Sequence, residues 1–260
     1  MSDDSKEYGL SPEKKSTKIQ PPQVDYYAPS PREYNPPIAL IGTGGISEYH
    51  LKNYKDCNFR ITALANRTLE KAKKLRDQFF PDASIHQDYQ EILEMDQIQV
   101  VDVTTHPNDR IPIIYNCLKA GKHTLSQKPF TLDLNEAQKL SDFASAKGLK
   151  LAVNQNGRWA PHFSYFRNAV KDGLIGEVTS VDFNLQWDQT WIKGIKAFEE
   201  MEHLILFDFA IHWFDITACI MEDQKPKGIF ASIKHHAEQV YQPPALASVL
   251  IDYPKTQVRM

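Results

Sequence analysis

Lys128, Asp208 and His212 are the side chains of this sequence best suited to moving a proton. Lys128 follows a short run, 122–125, read as a strand, and Pro129 fixes the backbone beside it. At the carboxyl edge of an open parallel sheet, where such sheets bind ligands, an ammonium can hydrogen-bond a hydroxyl, stabilise alkoxide character and polarise a carbonyl. The plainer alternative is a strand-end lysine in solvent. Asp208 and His212 are four residues apart, so a helix would put them on one face, where the carboxylate fixes the imidazole tautomer and favours its charged form. That is a general acid–base pair; the alternative is a histidine packed among Phe207, Phe209 and Trp213. Adding His203 gives three scattered donors without the tight spacing of a metal site, so no metal is expected.

A second constellation suits phosphate. The apolar run 38–41 feeds into Gly42-Thr-Gly44-Gly45-Ile46 and then a helix-like segment through His50. Gly42 and Gly44 let the backbone bend and approach a pyrophosphate, while Gly45 and Ile46 open a helix whose N–H groups and dipole face the charge. Ser47 stands where G-x-G-x-x-G has its third glycine and is small enough for close helix–strand packing. About twenty residues on, an acid usually holds the ribose 2′-hydroxyl of NAD. This chain has Asn66, Arg67 and Thr68 there, which favours NADP over NAD, unless Arg67 and Thr68 merely open a solvated helix. Thr104, Thr105, His106 and Asn108 follow the strand read at 98–104 and are expected to border the nicotinamide and its ribose.

The elements that must position these residues alternate along the chain. Strand-like runs at 38–42, 59–65, 98–104, 122–125 and 150–154, with a weaker one at 84–86, are separated by amphipathic helices, two of which open at Thr68 and Asp133. This pattern implies right-handed crossovers and a doubly wound parallel sheet over 38–155. Over 156–260 a helix at 163–171, a long strand at 177–187, a helix within 204–221 and strands at 229–235 and 246–253 imply a second α/β domain. Its sheet is expected to be open and mostly antiparallel, and the domain incomplete. Residues 1–37 hold seven of the sixteen prolines and read as a flexible tail whose Tyr26, Tyr27 and Tyr34 can dock on a partner subunit.

Composition bounds the function. With 260 residues, 42% hydrophobic, 24% charged and a net charge of −3, the chain has room for two packed cores and no basic footprint for nucleic acid or an anionic membrane. Cys57, Cys117 and Cys219 are odd in number and widely spaced, which argues against a disulfide framework and suits a reducing, cytoplasmic setting.

Three segments in order carry a family resemblance: the glycine turn with His50, the stretch Ala120-Gly121-Lys122-His123-Thr-Leu-Ser-Gln127-Lys128-Pro129, and Asp208-Phe-Ala-Ile-His212-Trp-Phe-Asp215. The chain resembles the glucose-fructose oxidoreductase / inositol dehydrogenase / rhizopine catabolism (Gfo/Idh/MocA) family over about 38–255. The resemblance implies an α/β protein with an N-terminal Rossmann domain, a nicotinamide-dependent dehydrogenase activity, Lys128 as catalytic lysine, His212 as proton acceptor, Asp208 as its partner, and Arg110, one or two places from where many relatives have histidine, at the substrate or cofactor edge. Gln127 stands where the family's Glu-Lys-Pro has its acid and is expected to keep a hydrogen bond to the cofactor; Ala210 replaces the family's more frequent glycine. Arg158 and Trp159, in the crossing from one domain to the other, together with Trp187 and Trp191, suit a polyhydroxylated small substrate. A sugar or cyclic polyol oxidised at a secondary alcohol is thus the expected chemistry, and a homo-oligomer through the C-terminal sheet the expected assembly. The alternative is a dinucleotide-binding sensor or regulatory subunit without turnover.

Overall fold

A computed structural model describes residues 20–29 and 33–260. Six strands, β1 (Pro37–Ile41), β2 (Arg60–Ala65), β3 (Ser84–His86), β4 (Val100–Val103), β5 (His123–Gln127) and β6 (Leu151–Asn154), form one sheet in the order β3-β2-β1-β4-β5-β6. All five pairings are parallel. The order reverses between β1 and β4, which leaves a crevice beyond their carboxyl ends.

Alternation along β1 decides which helices cover which face. Ile38 and Leu40 pack with Leu51 of α1 (Gly45–Asp56) and Leu75 of α2 (Leu69–Phe79), while Ala39 and Ile41 pack with Ile114 of α4 (Pro107–Lys119) and Leu140 of α5 (Leu134–Ala146). A short α3 (Gln90–Leu93) lies between the two groups in sequence and contributes Ile92 to the second core. Apolar burial on both faces is the mark of a parallel sheet, and Asp102 of β4 is a charged exception: it pairs with Leu40 in register and is fully buried. α5 starts as expected, with Asp133 accepting from the amides of Asn135 and Glu136, whereas Thr68 precedes α2 without a side-chain cap.

The second sheet runs β7 (Ser180–Asp182), β10 (Gln257–Arg259), β9 (Leu246–Asp252), β8 (Gly228–Lys234), with β7 and β10 parallel and the other two pairs antiparallel. Val181, Val249, Ile251 and Val258 pack against Ile216, Ile220 and Met221 of α8 (Ile211–Met221), with Phe163 and Phe166 of α6 (Pro161–Lys171) beside them. The alternating residues Phe230, Leu246, Asp252 and Arg259 are exposed, so the sheet is open on one side. Between the strands, 183–204 is irregular apart from a 3-10 turn at Thr190–Ile192 and one turn of helix, α7 (Lys196–Glu199).

Three expectations change. The long strand at 177–187 shortens to Ser180–Asp182, because β10 supplies ladder partners only there and the chain beyond turns into a loop. The three-residue β10 was not expected; Val258 between polar neighbours is too little signal for a strand. Of the expected tail, 1–19 and 30–32 lie outside the described residues, and the described part is tied down. Val24 is buried, Tyr165 Oη donates to the Pro22 carbonyl at 3.0 Å, Tyr26 packs edge-on to Tyr165, and Tyr34 Oη donates to Gln99 Oε1 at 2.8 Å. Tyr26 and Tyr34 thus contact the chain itself.

Gly42 closes β1 at φ +100°, and a Cβ there would stand 2.9 Å from the backbone nitrogen of Thr105. Gly42→Ala combines left-handed strain with a backbone clash and is expected to cost about 2 kcal/mol or more. Urea unfolding measures this, with Gly44→Ala, whose Cβ meets nothing within 4 Å, as the mild control.

Candidate active site

The crevice between β1 and β4 is a cleft of about 860 Å³ lined by Gly42, Thr43, Gly44, Asn66, Arg67, Thr104, Thr105, His106 and Asn108. Gly44 precedes α1 with no side-chain cap, and a Cβ on Gly44 or Gly45 would meet nothing within 4 Å, so the approach to the start of the helix is open. Ser47 is buried and its hydroxyl donates back to the Gly44 carbonyl, shaping the turn from within. Thr104 Oγ1 donates to the Gly42 carbonyl at 2.7 Å and ties the two strand ends together. Asn66 accepts from the Thr43 amide and donates to the Thr68 carbonyl, which makes it a brace for the rim. His106 caps α4 by accepting from the Asn108 amide. Arg67 is almost wholly exposed and reaches Asp109 Oδ2 at 3.1 Å. Gly45, Ile46 and Thr68 do not line the cleft, whereas Gln87, Asp88, Tyr89 and Asp109 do. The last four carry no motif; only the pairing of β3 beside β2 brings the first three there.

At the end of β5, Lys128 Nζ donates to Asp208 Oδ1 and to the Asp208 carbonyl, each at 2.8 Å, with both side chains mostly buried. The expected Asp208–His212 partnership does not form. Residues Ile205–Phe209 make a π-helical turn before α8, and the Asp208 carboxylate goes to the lysine. His212 Nδ1 is buried with no partner among the described residues. Its ring packs against Gly157, where a Cβ would come within 2.8 Å of Nδ1. Gly157 was missed because its requirement arises only from that contact. Gln127 Oε1 accepts from the Lys128 backbone amide at 2.6 Å, so lysine and neighbour are held as one turn.

Residues 37–155 match the family described as GFO_IDH_MocA, oxidoreductase family, NAD-binding Rossmann fold. This segment belongs to the Gfo/Idh/MocA oxidoreductase family. The chain is 29% identical over 188 residues to a D-apiose dehydrogenase of Paraburkholderia graminis, covering 71% of this chain and 49% of that one. It is 26% identical over 189 residues to an inositol 2-dehydrogenase/D-chiro-inositol 3-dehydrogenase of Lactiplantibacillus plantarum, covering 72% and 52%. The chain therefore spans about half the length of the curated relatives it matches. A solved oxidoreductase of Agrobacterium radiobacter, in complex with NAD+, L-tartaric acid and magnesium, has the same fold with a TM-score of 0.77 and 22% identity, over 87% of this chain and 66% of that one.

Within this Gfo/Idh/MocA segment, Arg110 differs from expectation. It is buried and donates to the carbonyls of Thr105, Gln127 and Pro129, and burial pushes its guanidinium down to about 10. It is a strut that ties the cofactor-side loop to the lysine turn rather than a group at the substrate edge. Arg158 forms a two-bond ion pair with Asp215, Nε to Oδ2 at 2.8 Å, which holds the guanidinium above its usual range. Arg158 and Trp159 line a second cleft of about 890 Å³ between Pro129–Leu134, the end of β6 and the start of α8. Trp187 and Trp191 are half exposed, 5.8 Å apart, and Trp187 meets Phe209 edge-on. Among the described residues no cluster of His, Cys, Asp or Glu could hold a metal ion, and no helix is long and apolar enough to cross a membrane.

Burial, then the charge of Lys128, push the His212 imidazole below its ordinary 6.5 against weaker pulls from Asp208 and Asp215. Below about pH 6.5 the unfolded chain therefore binds a proton that folded His212 resists, and stability falls as the pH drops. His212→Gln is expected to flatten that part of the acid slope between about pH 6.5 and 5, read as urea midpoints at each pH.

Proposed function

We propose that this chain is an NAD(P)-dependent dehydrogenase that interconverts a secondary alcohol and a ketone on a sugar or cyclic polyol. The observation that carries the reading is the buried Lys128–Asp208 pair at the carboxyl edge of the parallel sheet, one strand from the glycine-turn crevice. The division follows the two sheets, with 38–155 for the dinucleotide and 156–260 for the substrate and for assembly.

The open space before Gly44 and Gly45 and the size of the cleft suit a dinucleotide, with Gly42, Gly44, Asn66, Arg67, Thr104, Thr105, His106 and Asn108 to hold it. When bound, the nicotinamide gives or takes the hydride. Lys128 holds the reacting oxygen through Nζ and stabilises its negative charge, with Asp208 aiming the ammonium. His212, pressed towards its neutral form by burial, serves as proton acceptor. Arg158 and Trp159 face the polyol, the guanidinium through hydroxyls and the indole through a C–H face. The dehydrogenase names of the sugar and inositol relatives support this substrate class. The open second sheet supports a homo-oligomer, and three unpaired cysteines support a cytoplasmic setting.

Lys128→Met is expected to lower turnover of the active polyol at least about a thousandfold while leaving dinucleotide affinity within a few-fold, measured by absorbance and fluorescence titration. Tight dinucleotide binding by the unsubstituted protein, with no turnover across a panel of polyols and aldoses, would instead establish the sensor reading.

Arg67 at the lip, with no acid at 66–68, supports NADP as the preferred cofactor, and Asp88 and Asp109 in the same cleft keep the preference modest. NADPH is expected to bind a few-fold tighter than NADH, and Arg67→Ala to erase the difference; tighter NADH binding overturns the preference.

A further inference from the structure

We propose that His50 and Gln127 together set the charge of a buried relay anchoring the Lys128 turn, with His50 the member that gains or loses a proton to suit residue 127. The relay starts at the Lys128 backbone amide, which can only donate. It meets Gln127 Oε1 at 2.6 Å, so the other end of that carboxamide, Nε2, faces His50 Nε2 as a donor at 3.1 Å. Asn154 Nδ2 approaches the same ring nitrogen at 3.2 Å. Donors aimed at that nitrogen require a lone pair there, which puts the single ring proton on Nδ1, 2.7 Å from Asp102 Oδ2. Tyr54 Oη donates to the same oxygen at 2.9 Å, and burial with Asp102 beside it pushes this phenol up, so it stays protonated. One backbone N–H thus fixes every direction in the chain of bonds.

The relay as built carries one negative charge, on Asp102. A carboxylate at 127 would accept through both oxygens, so His50 would have to donate through Nε2 as well as Nδ1. The imidazolium and two carboxylates would again sum to one negative charge. That invariance matters because water cannot correct an imbalance here: Asp102 is 0% and Gln127 6% exposed, and Asp102 Oδ1 has no partner among the described residues. Arg110, buried against the Gln127 carbonyl, and the Lys128–Asp208 pair are the other charged groups near the relay, and both are already engaged. The amide at 127 therefore does not strip Lys128 of its counter-charge; Asp208 supplies that, and His50 is a positioning residue. The inference rests on the dehydrogenase reading only for the task given to Lys128.

Nitrogen-15 NMR of histidine-labelled full chain at pH 7, with His50 assigned through His50→Gln, tests it. The neutral Nδ1–H tautomer is expected in the unsubstituted protein, and protons on both ring nitrogens in Gln127→Glu. Glutamine at 50 keeps a donor and an acceptor but cannot take a second proton. The double substitution Gln127→Glu/His50→Gln is therefore expected to melt about 10 °C below the sum of the two single effects. An Nε2–H or doubly protonated His50 in the unsubstituted protein overturns the proposal. So does a neutral His50 in Gln127→Glu, additive melting temperatures, or failure of Gln127→Glu alone to fold. None of these readouts needs turnover or a bound dinucleotide, so loss of the dehydrogenase reading would not blur them.

Discussion

An ion pair between residues 80 apart in sequence, Lys128 with Asp208, joins the rim of the parallel sheet to the helices of the second one. The lysine ammonium takes both the Asp208 carboxylate and its carbonyl, so backbone and side chain of the π-helical turn point to one spot. A mostly buried pair of this kind is costly unless its geometry is well satisfied. Its consequence is an ammonium that is aimed and shielded, while the neighbouring His212 is pressed towards its neutral form.

The rim beneath that pair is held by backbone carbonyls. Arg110 gathers those of Thr105, Gln127 and Pro129, binding the loop after β4 to the turn after β5. Thr104 adds the end of β1 through the Gly42 carbonyl. Loops of an open α/β sheet are where ligands bind and also where the chain is least constrained. Here buried side-chain donors remove that freedom, and the crevice keeps its shape with its own residues. The relay from Lys128 through Gln127 and His50 to Asp102 does the same from below, linking α1 to the lysine turn.

Glycine requirements divide in the same way between backbone and contact. Gly42 is demanded by a left-handed φ and by the approach of Thr105, and Gly157 by the His212 ring, whereas a Cβ on Gly44 or Gly45 meets nothing in the chain itself. Gly42, Gly44 and Gly45 belong to a readable strand–turn–helix motif, and Gly157 does not.

Much of the fold was legible in the order of residues alone: apolar runs of strand length alternating with 3.6-period helices leave few topologies besides a doubly wound sheet, and the glycine turn with its following helix locates the crevice. Lys128 was legible because Pro129 and a preceding strand place it on the sheet's edge. Side-chain partners were not. A spacing of four residues gave Asp208 to His212, but a π-helical turn changes the residues per turn just there and hands the carboxylate to a lysine 80 positions away. Arg110 looked like a ligand contact because many relatives have a histidine one or two places away; burial among three carbonyls made it a strut. Local periodicity is written in neighbouring residues, whereas the partner of a buried charge depends on which distant segments the sheet order brings within 3 Å, and that only the folded chain decides.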